Sequence, residues 1–382
     1  MGKVAYKVYS FLSFASVFLY VDPLCTGIGR VVQTCFALAM FSFVCVYRKK
    51  YLKVHVFKDV NVYACLLILS MLITSFLNKN LSLGSYQVSS YTLGVLYALI
   101  TLNTLFFVEF SVLYGKQAQL LRYYYSCLLA LCVIVDLLIF TKGSSAHAYY
   151  YVGDKFTISY LHLFLIALYC MNYGVERIKN NLKFICIIFV SFFVCKKVSC
   201  STGQIGVVLL SIMFLCKKAK KVIPNAYYML LYVALFTLLS FVFEQLLEIS
   251  FIRNFIVNDL GKDETMTGRT GIYLVLWNAV QLKPLFGWGQ GNGMSFMGYY
   301  FSTPNAQNGF FNYVTDYGFV GVSTLILFLF AVCKRINIDK AYPLWALIFI
   351  FIVLSSVEIT FNLQFIVYII LLLPFVRLYK RV

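Results

Sequence analysis

Apolar runs of membrane length recur along the whole chain, separated by short polar connectors, with one long exception. The runs lie near 6–20, 28–47, 60–77, 93–114, 124–140, 157–173, 182–195, 203–216, 227–243, 317–333, 343–357 and 361–378. Each is long enough, or nearly so with tilt, to cross a bilayer core of ~30 Å. The pattern predicts an all-α polytopic membrane protein, one transmembrane domain over 1–382 with about twelve transmembrane helices.

The exception is the segment 244–316, between the ninth and tenth runs. Loops of this length are usually functional or disordered. Its many aromatic and apolar residues, among them Phe251, Phe255, Trp277 and Trp288, argue against disorder. Helical pieces packed on the mouth of the bundle are expected instead. Ile272, Leu276 and Val280 recur at a spacing of four, which predicts an amphipathic helix over Arg269–Leu282. Thr267 or Gly268 precedes it and Pro284 closes it.

Charge orients this bundle. Placing the N-terminus inside leaves only Arg30, Lys79, Lys142, Lys155, Lys196, Lys197, Arg253, Lys262, Arg269 and Lys283 outside, out of 32 Lys and Arg residues. The positive-inside rule then predicts cytoplasmic termini and an extracytoplasmic loop over 244–316. Composition agrees with a membrane setting: 12% charged residues is about half of what a soluble domain carries. The net charge of +18 is accordingly no sign of nucleic acid. It sits mostly in inner connectors such as Arg48, Lys49 and Lys50, beside anionic membrane lipids. Lys3 and Lys7 precede an apolar run without a small-residue cleavage site, so the first span is expected to be an uncleaved anchor. The twelve cysteines lie mainly inside spans without metal-type spacing, and neither a metal nor a cofactor is expected. Cys195 and Cys200 alone sit together near the outer face, where a disulfide is one option.

Lys and Arg are disfavoured on the translocated side, so those found there need a reason. Lys196 and Lys197 share a very short outer turn that leads into Ser201. Brought together with Arg253 and Arg269, they would form a cationic pocket suited to phosphate or pyrophosphate. The alternative is snorkelling, in which a long side chain near a helix end reaches the headgroups. In the stretch KPLFGWGQGNG (283–293), Gly287, Gly289, Gly291 and Gly293 alternate with other residues. Such glycines permit close backbone approach and let successive N–H groups cradle an anion. A tight re-entrant turn is the plainer explanation, and the nucleotide-binding fingerprints are missing. Gln307, Asn308 and Asp316 are polar groups at the mouth of an apolar helix, where such groups are costly and often functional. Asp316 is a candidate base or an interfacial residue facing water, whereas Gln307 can hydrogen-bond but cannot accept a proton. His147 is a further titratable outer group, and Asp136 and His162 are polar groups within the spans with no pattern to join them.

The order of these elements is familiar. A short Ser-rich outer turn opens a span, and a large loop follows with TGRTGIYLVLWNAVQLKPLFGWGQG (267–291). Asn308 and DYGFVG (316–321) then enter the next span. This resembles the O-antigen polymerase and O-antigen ligase superfamily of bacterial envelope glycosyltransferases. The motifs match in order over roughly 195–333, and the first six spans match only in hydropathy. The resemblance implies a bacterial plasma-membrane enzyme that transfers glycan from a polyprenyl-pyrophosphate-linked oligosaccharide, with catalysis in the outer loop. Arg269 occupies the place of the family's outer-loop arginine. A chain-length regulator and a flippase are the companion proteins to expect. Two departures stand out. Many members have His-Asn where this chain has Gln307-Asn308, and many have Arg after the Ser of the short turn, where Thr202 follows Ser201.

A sugar on pyrophosphate has a good leaving group, so the main need is cationic stabilisation of the departing diphosphate. Arg269 with Lys196, Lys197 or Arg253 could supply it without a metal. The acceptor hydroxyl still benefits from a base, for which Asp316, His147 or the Asp263–Glu264 pair are options. Trp277 and Trp288 suit stacking on sugar rings, or simply the membrane interface. The expected function is a polymerase of O-antigen, capsule or exopolysaccharide repeat units. A ligase of finished glycan and a flippase or exporter of lipid-linked glycan are the rivals.

Overall fold

The computed structural model describes residues 2–20, 28–51, 58–83, 86–87, 90–141, 150–175, 181–216, 225–247, 250, 269–301 and 306–376. Its first half contains α1 (Lys3–Phe18), α2 (Ile28–Tyr51), α3 (Lys58–Leu77), α4 (Ser90–Leu113), α5 (Gln117–Thr141), α6 (Lys155–Tyr173) and α7 (Leu182–Lys197). Then come α8 (Ser201–Leu215), α9 (Ala226–Leu247), α10 (Arg269–Leu282), α11 (Asn292–Phe301), α12 (Gly309–Arg335), α13 (Ile338–Leu354) and α14 (Leu363–Ile370). Six of these, α2 to α6 and α12, are long and apolar enough to cross a membrane. The chain is thus an all-α membrane protein. One small addition to the expected pattern is an antiparallel ribbon between α3 and α4, β1 (Ser82–Leu83) with β2 (Tyr86–Gln87). Strands of two residues are too short for any alternation to announce them.

Helix starts follow local chemistry. Asp154, Asn181, Asn308 and Asn362 each stand just before an apolar run and accept a backbone N–H of the first turn, at 2.8 to 3.1 Å. Such caps satisfy N–H groups that have no partner within the helix. The last apolar run behaves differently from the even span over 361–378. It stops at Ile370 and is followed by a 3₁₀ turn, Leu373–Phe375. Pro374 has no N–H for the α-helical ladder and its ring crowds the preceding turn.

Two helices form the centre. α13 packs on α6, α8, α9 and α14, and its residues 341–348 are buried on every face. A helix apolar all round belongs inside other helices or in lipid, and here other helices cover it. Gly206 lets α8 come close to its neighbours, since a Cβ there would lie 3.0 Å from Leu163 and 3.3 Å from Leu354. Small residues at such crossings are the usual route to tight helix packing in membranes. α12 is the second hub, against α3, α9, α10 and α11, and it carries the loop described next.

Candidate functional site

α12 is broken near its beginning. Gly318 takes φ 65° and ψ −173°, which interrupts the helical ladder. The stretch 284–289 fills the gap as a neighbouring strand would. The N–H groups of Phe319 and Val320 donate to the carbonyls of Pro284 and Leu285 at 2.8 and 3.0 Å. In return, the N–H groups of Trp288 and Gly289 donate to the carbonyls of Thr315 and Asp316 at 2.9 and 2.8 Å. Backbone groups released by the kink are thereby satisfied inside the protein, as a low-dielectric setting demands. So close an approach needs glycine. A Cβ on Gly287 would lie 2.6 Å from both the Thr315 carbonyl oxygen and the Gly318 nitrogen.

The loop then closes on Asp316. This side chain is 1% exposed. Its Oδ2 accepts the Gly291 N–H at 3.0 Å and its Oδ1 accepts the Gly293 N–H at 2.8 Å, with the Asn312 amide at 3.5 Å. Both glycines lie at the start of α11, so the carboxylate also meets the positive end of that helix. Of the four alternating glycines, Gly291 and Gly293 hold an anion, and it is the chain's own, whereas Gly287 and Gly289 donate to main-chain carbonyls. Asp316 is consequently no interfacial group facing water, and both its oxygens already serve as a latch. Around it, Asn292 Oδ1, Asn312 Oδ1 and the Tyr313 hydroxyl are buried polar atoms that find no hydrogen-bond partner among the described residues. The Tyr317 hydroxyl donates to the side chain of Gln290.

The two residues at the mouth of α12 tie it to the end of α13. Asn308 caps the helix through Phe311 at 2.9 Å, and its amide reaches the Ser356 carbonyl at 3.4 Å. The Gly309 N–H donates to the Ser355 carbonyl at 2.8 Å. Gln307 has φ 49°, and its carbonyl accepts the Tyr273 hydroxyl at 3.3 Å. Asn308→Ala is expected to cost about 1–2 kcal/mol, the worth of a good cap, read as a lower melting temperature in detergent.

α10 buries the expected stripe: Ile272, Leu276 and Val280 are all inside, while Trp277 is exposed on the other face. Arg269 is the first residue of that helix. Its side chain lies outside what the structure describes, as do Arg253, His147, Asp263 and Glu264. Lys196 and Lys197 end α7, Lys196 exposed and Lys197 half-buried, and Ser201 opens α8. Between them, the Cys200 sulfur accepts the Gly203 N–H at 3.3 Å. Cys195 and Cys200 are both buried as free thiols. Burial pushes the Cys200 thiol up, and the nearby Glu358 carboxylate adds to that shift while Ser159, Gly203 and Lys155 oppose it. The Glu358 carbonyl oxygen is also 3.1 Å from where a Cβ on Gly309 would stand. The Ser201 turn and the Asn308 cap therefore flank the same α13–α14 connection, whereas the Asp316 latch is built on α11 and α12.

A second polar group lies elsewhere. His162 Nε2 is 3.1 Å from Asp136 Oδ1, and its Nδ1 is 3.1 Å from Ser191 Oγ. All three are buried, on α6, α5 and α7 respectively. Neither the pairing nor the part of Ser191 has any signature in the sequence, because the three residues stand on separate helices. Among the described residues, no group of three or more His, Cys, Asp or Glu side chains could hold a metal ion. No protein-family model and no curated protein matches the chain.

Proposed function

We propose that this chain is a polysaccharide polymerase of a bacterial plasma membrane, joining polyprenyl-pyrophosphate-linked repeat units on the outer face. One observation carries the reading. The two stretches that bear the family resemblance fold against each other over their described residues, 269–291 and 308–321, through Phe319 on Pro284 and Gly289 on Asp316. In this reading the shorter apolar helices span the membrane as well. The total is then about twelve spans with cytoplasmic termini, and 244–316 lies outside, as the charge distribution argues.

The reaction breaks the bond between the donor sugar's anomeric carbon and the diphosphate oxygen. The acceptor hydroxyl oxygen forms the new glycosidic bond and loses its proton, and the carrier diphosphate departs with the bonding electrons. Arg269 opens α10, a helix end whose dipole favours an anion, and its guanidinium stabilises the charge developing on that diphosphate. In this reading Lys196 and Lys197 at the end of α7 and Ser201 at the start of α8 supply further polar contacts to the ligand.

The test uses purified protein in vesicles given carrier-linked repeat on the outer side alone, where chain extension requires a polymerase. Arg269→Ala is expected to slow extension by about two to three orders of magnitude, as loss of one main charge-stabilising donor does, leaving single-repeat carrier-linked units. Normal chain-length ladders from that variant would sink the role given to Arg269. Long carrier-linked polymer accumulating in a deletion strain would point to a ligase instead. A second reading, a flippase or exporter of lipid-linked glycan, draws on the buried His162–Asp136 pair, since ionisable groups within a bundle often mark a translocation path. Carrier-linked repeat crossing those vesicles without extension would favour it.

A further inference from the structure

Lys283 is an outer cation to which the reaction above assigns no part. It directly follows α10, and its ammonium donates to Asn78 Oδ1 at 2.7 Å. The same ammonium sits 4.4 Å from the centroid of the Trp288 ring. Both supports are fixed in turn. Asn78 is buried, and its amide donates to the carbonyls of Thr74 and Gly287 at 2.8 and 3.2 Å. The Trp288 indole N–H donates to the Ala279 carbonyl at 2.7 Å. A long, flexible side chain is thus held in one place at the end of α3, against the glycine loop.

Its charge is not balanced there. Among the described residues, no carboxylate pairs with Lys283. Burial lowers the affinity of its amine for a proton, the behaviour of a cation short of compensation. An ammonium has three protons to donate, and Asn78 takes one. Lys79, exposed on the turn beside Asn78, adds positive charge. The surroundings set the height of the group: Leu282 and Leu285 are 71% and 62% exposed, which places Lys283 among apolar side chains that seek lipid. An ammonium so flanked lies at the level of phosphate headgroups rather than in open water.

We propose that Lys283, held by Asn78 and Trp288, is a binding site for the phosphate of a membrane-borne ligand. Resting on the polymerase reading, that ligand is the diphosphate of the polyprenyl carrier. Lysine suits such a ligand as a compact point charge that needs no planar fork. A phospholipid headgroup offers the same chemistry, and the experiment separates the two.

The full chain is placed in nanodiscs of zwitterionic lipid, and acylation of individual lysines is followed by mass spectrometry. Undecaprenyl diphosphate is expected to slow acylation of Lys283 about tenfold, as a ligand at roughly ten times its Kd does, while Lys155 is unaffected. Equal protection by phosphatidylglycerol discs overturns the carrier assignment, and no protection from either overturns the site. Lys283→Gln is expected to weaken undecaprenyl diphosphate binding about tenfold, with Lys283→Arg keeping most of it and both variants melting as the wild type. Unchanged binding by a folded Lys283→Gln protein overturns the proposal independently. If Lys283 is protected but vesicles show no extension, the phosphate site stands and the polymerase reading falls. Extension with an unprotected Lys283 gives the reverse.

Discussion

Asp316→Ala is expected to lower stability by about 3–5 kcal/mol, because a buried and a half-buried N–H group would lose a charged acceptor together. Gly291 and Gly293 donate to opposite oxygens of that carboxylate, which is itself 1% exposed. α11 would also lose the anion at its positive end. Unfolding in detergent, followed by intrinsic fluorescence, should show the drop. Asp316→Asn keeps one acceptor oxygen and sets an NH₂ group against the second donor, so roughly half the loss is expected. Activity then separates latch from base. A proton acceptor predicts Asn and Ala variants equally dead, whereas a latch predicts activity that recovers with stability. An Asn variant as stable as the wild type yet wholly inactive would rule out the latch account.

Gly287→Ala should be equally severe, at about 3–5 kcal/mol, and for a different reason. The new methyl would meet backbone atoms, the Thr315 carbonyl oxygen and the Gly318 nitrogen at 2.6 Å, which no rotamer change can relieve. The residue also sits at φ 65°, where a Cβ is unfavourable even in open space. Gly115 offers a control, with φ 63° and nothing within 4 Å of the built Cβ. Gly115→Ala is expected to cost only about 1–2 kcal/mol, the left-handed conformation alone. Equal melting shifts for the two substitutions would mean that the backbone contact at Gly287 contributes nothing.

Much of this architecture is legible along the chain. The stripe Ile272, Leu276, Val280 announced a helix with one buried face, because period and burial are the same statement for a surface helix. Asn308 reads in the sequence only as a polar group at the mouth of an apolar helix, and the structure makes it the cap of that helix. The fate of Asp316 was not legible: an acidic residue at a span mouth looks alike whether it meets water or two N–H groups from a loop more than twenty residues away. The pairing of His162 with Asp136 was hidden for the same reason, since contact between two helices depends on rotation and tilt that no local pattern sets. The last run looked like one even span because hydropathy ignores the missing N–H of Pro374.

The kink at Gly318 has a mechanical corollary. With four main-chain bonds crossing between 284–289 and 315–320, loop and helix stub are riveted into a single girder. Bending one would tear the other and leave main-chain groups without the partners they now have. This flank of the bundle is therefore a jamb, and any motion that swings α12 at Gly318 must carry the 284–289 loop with it.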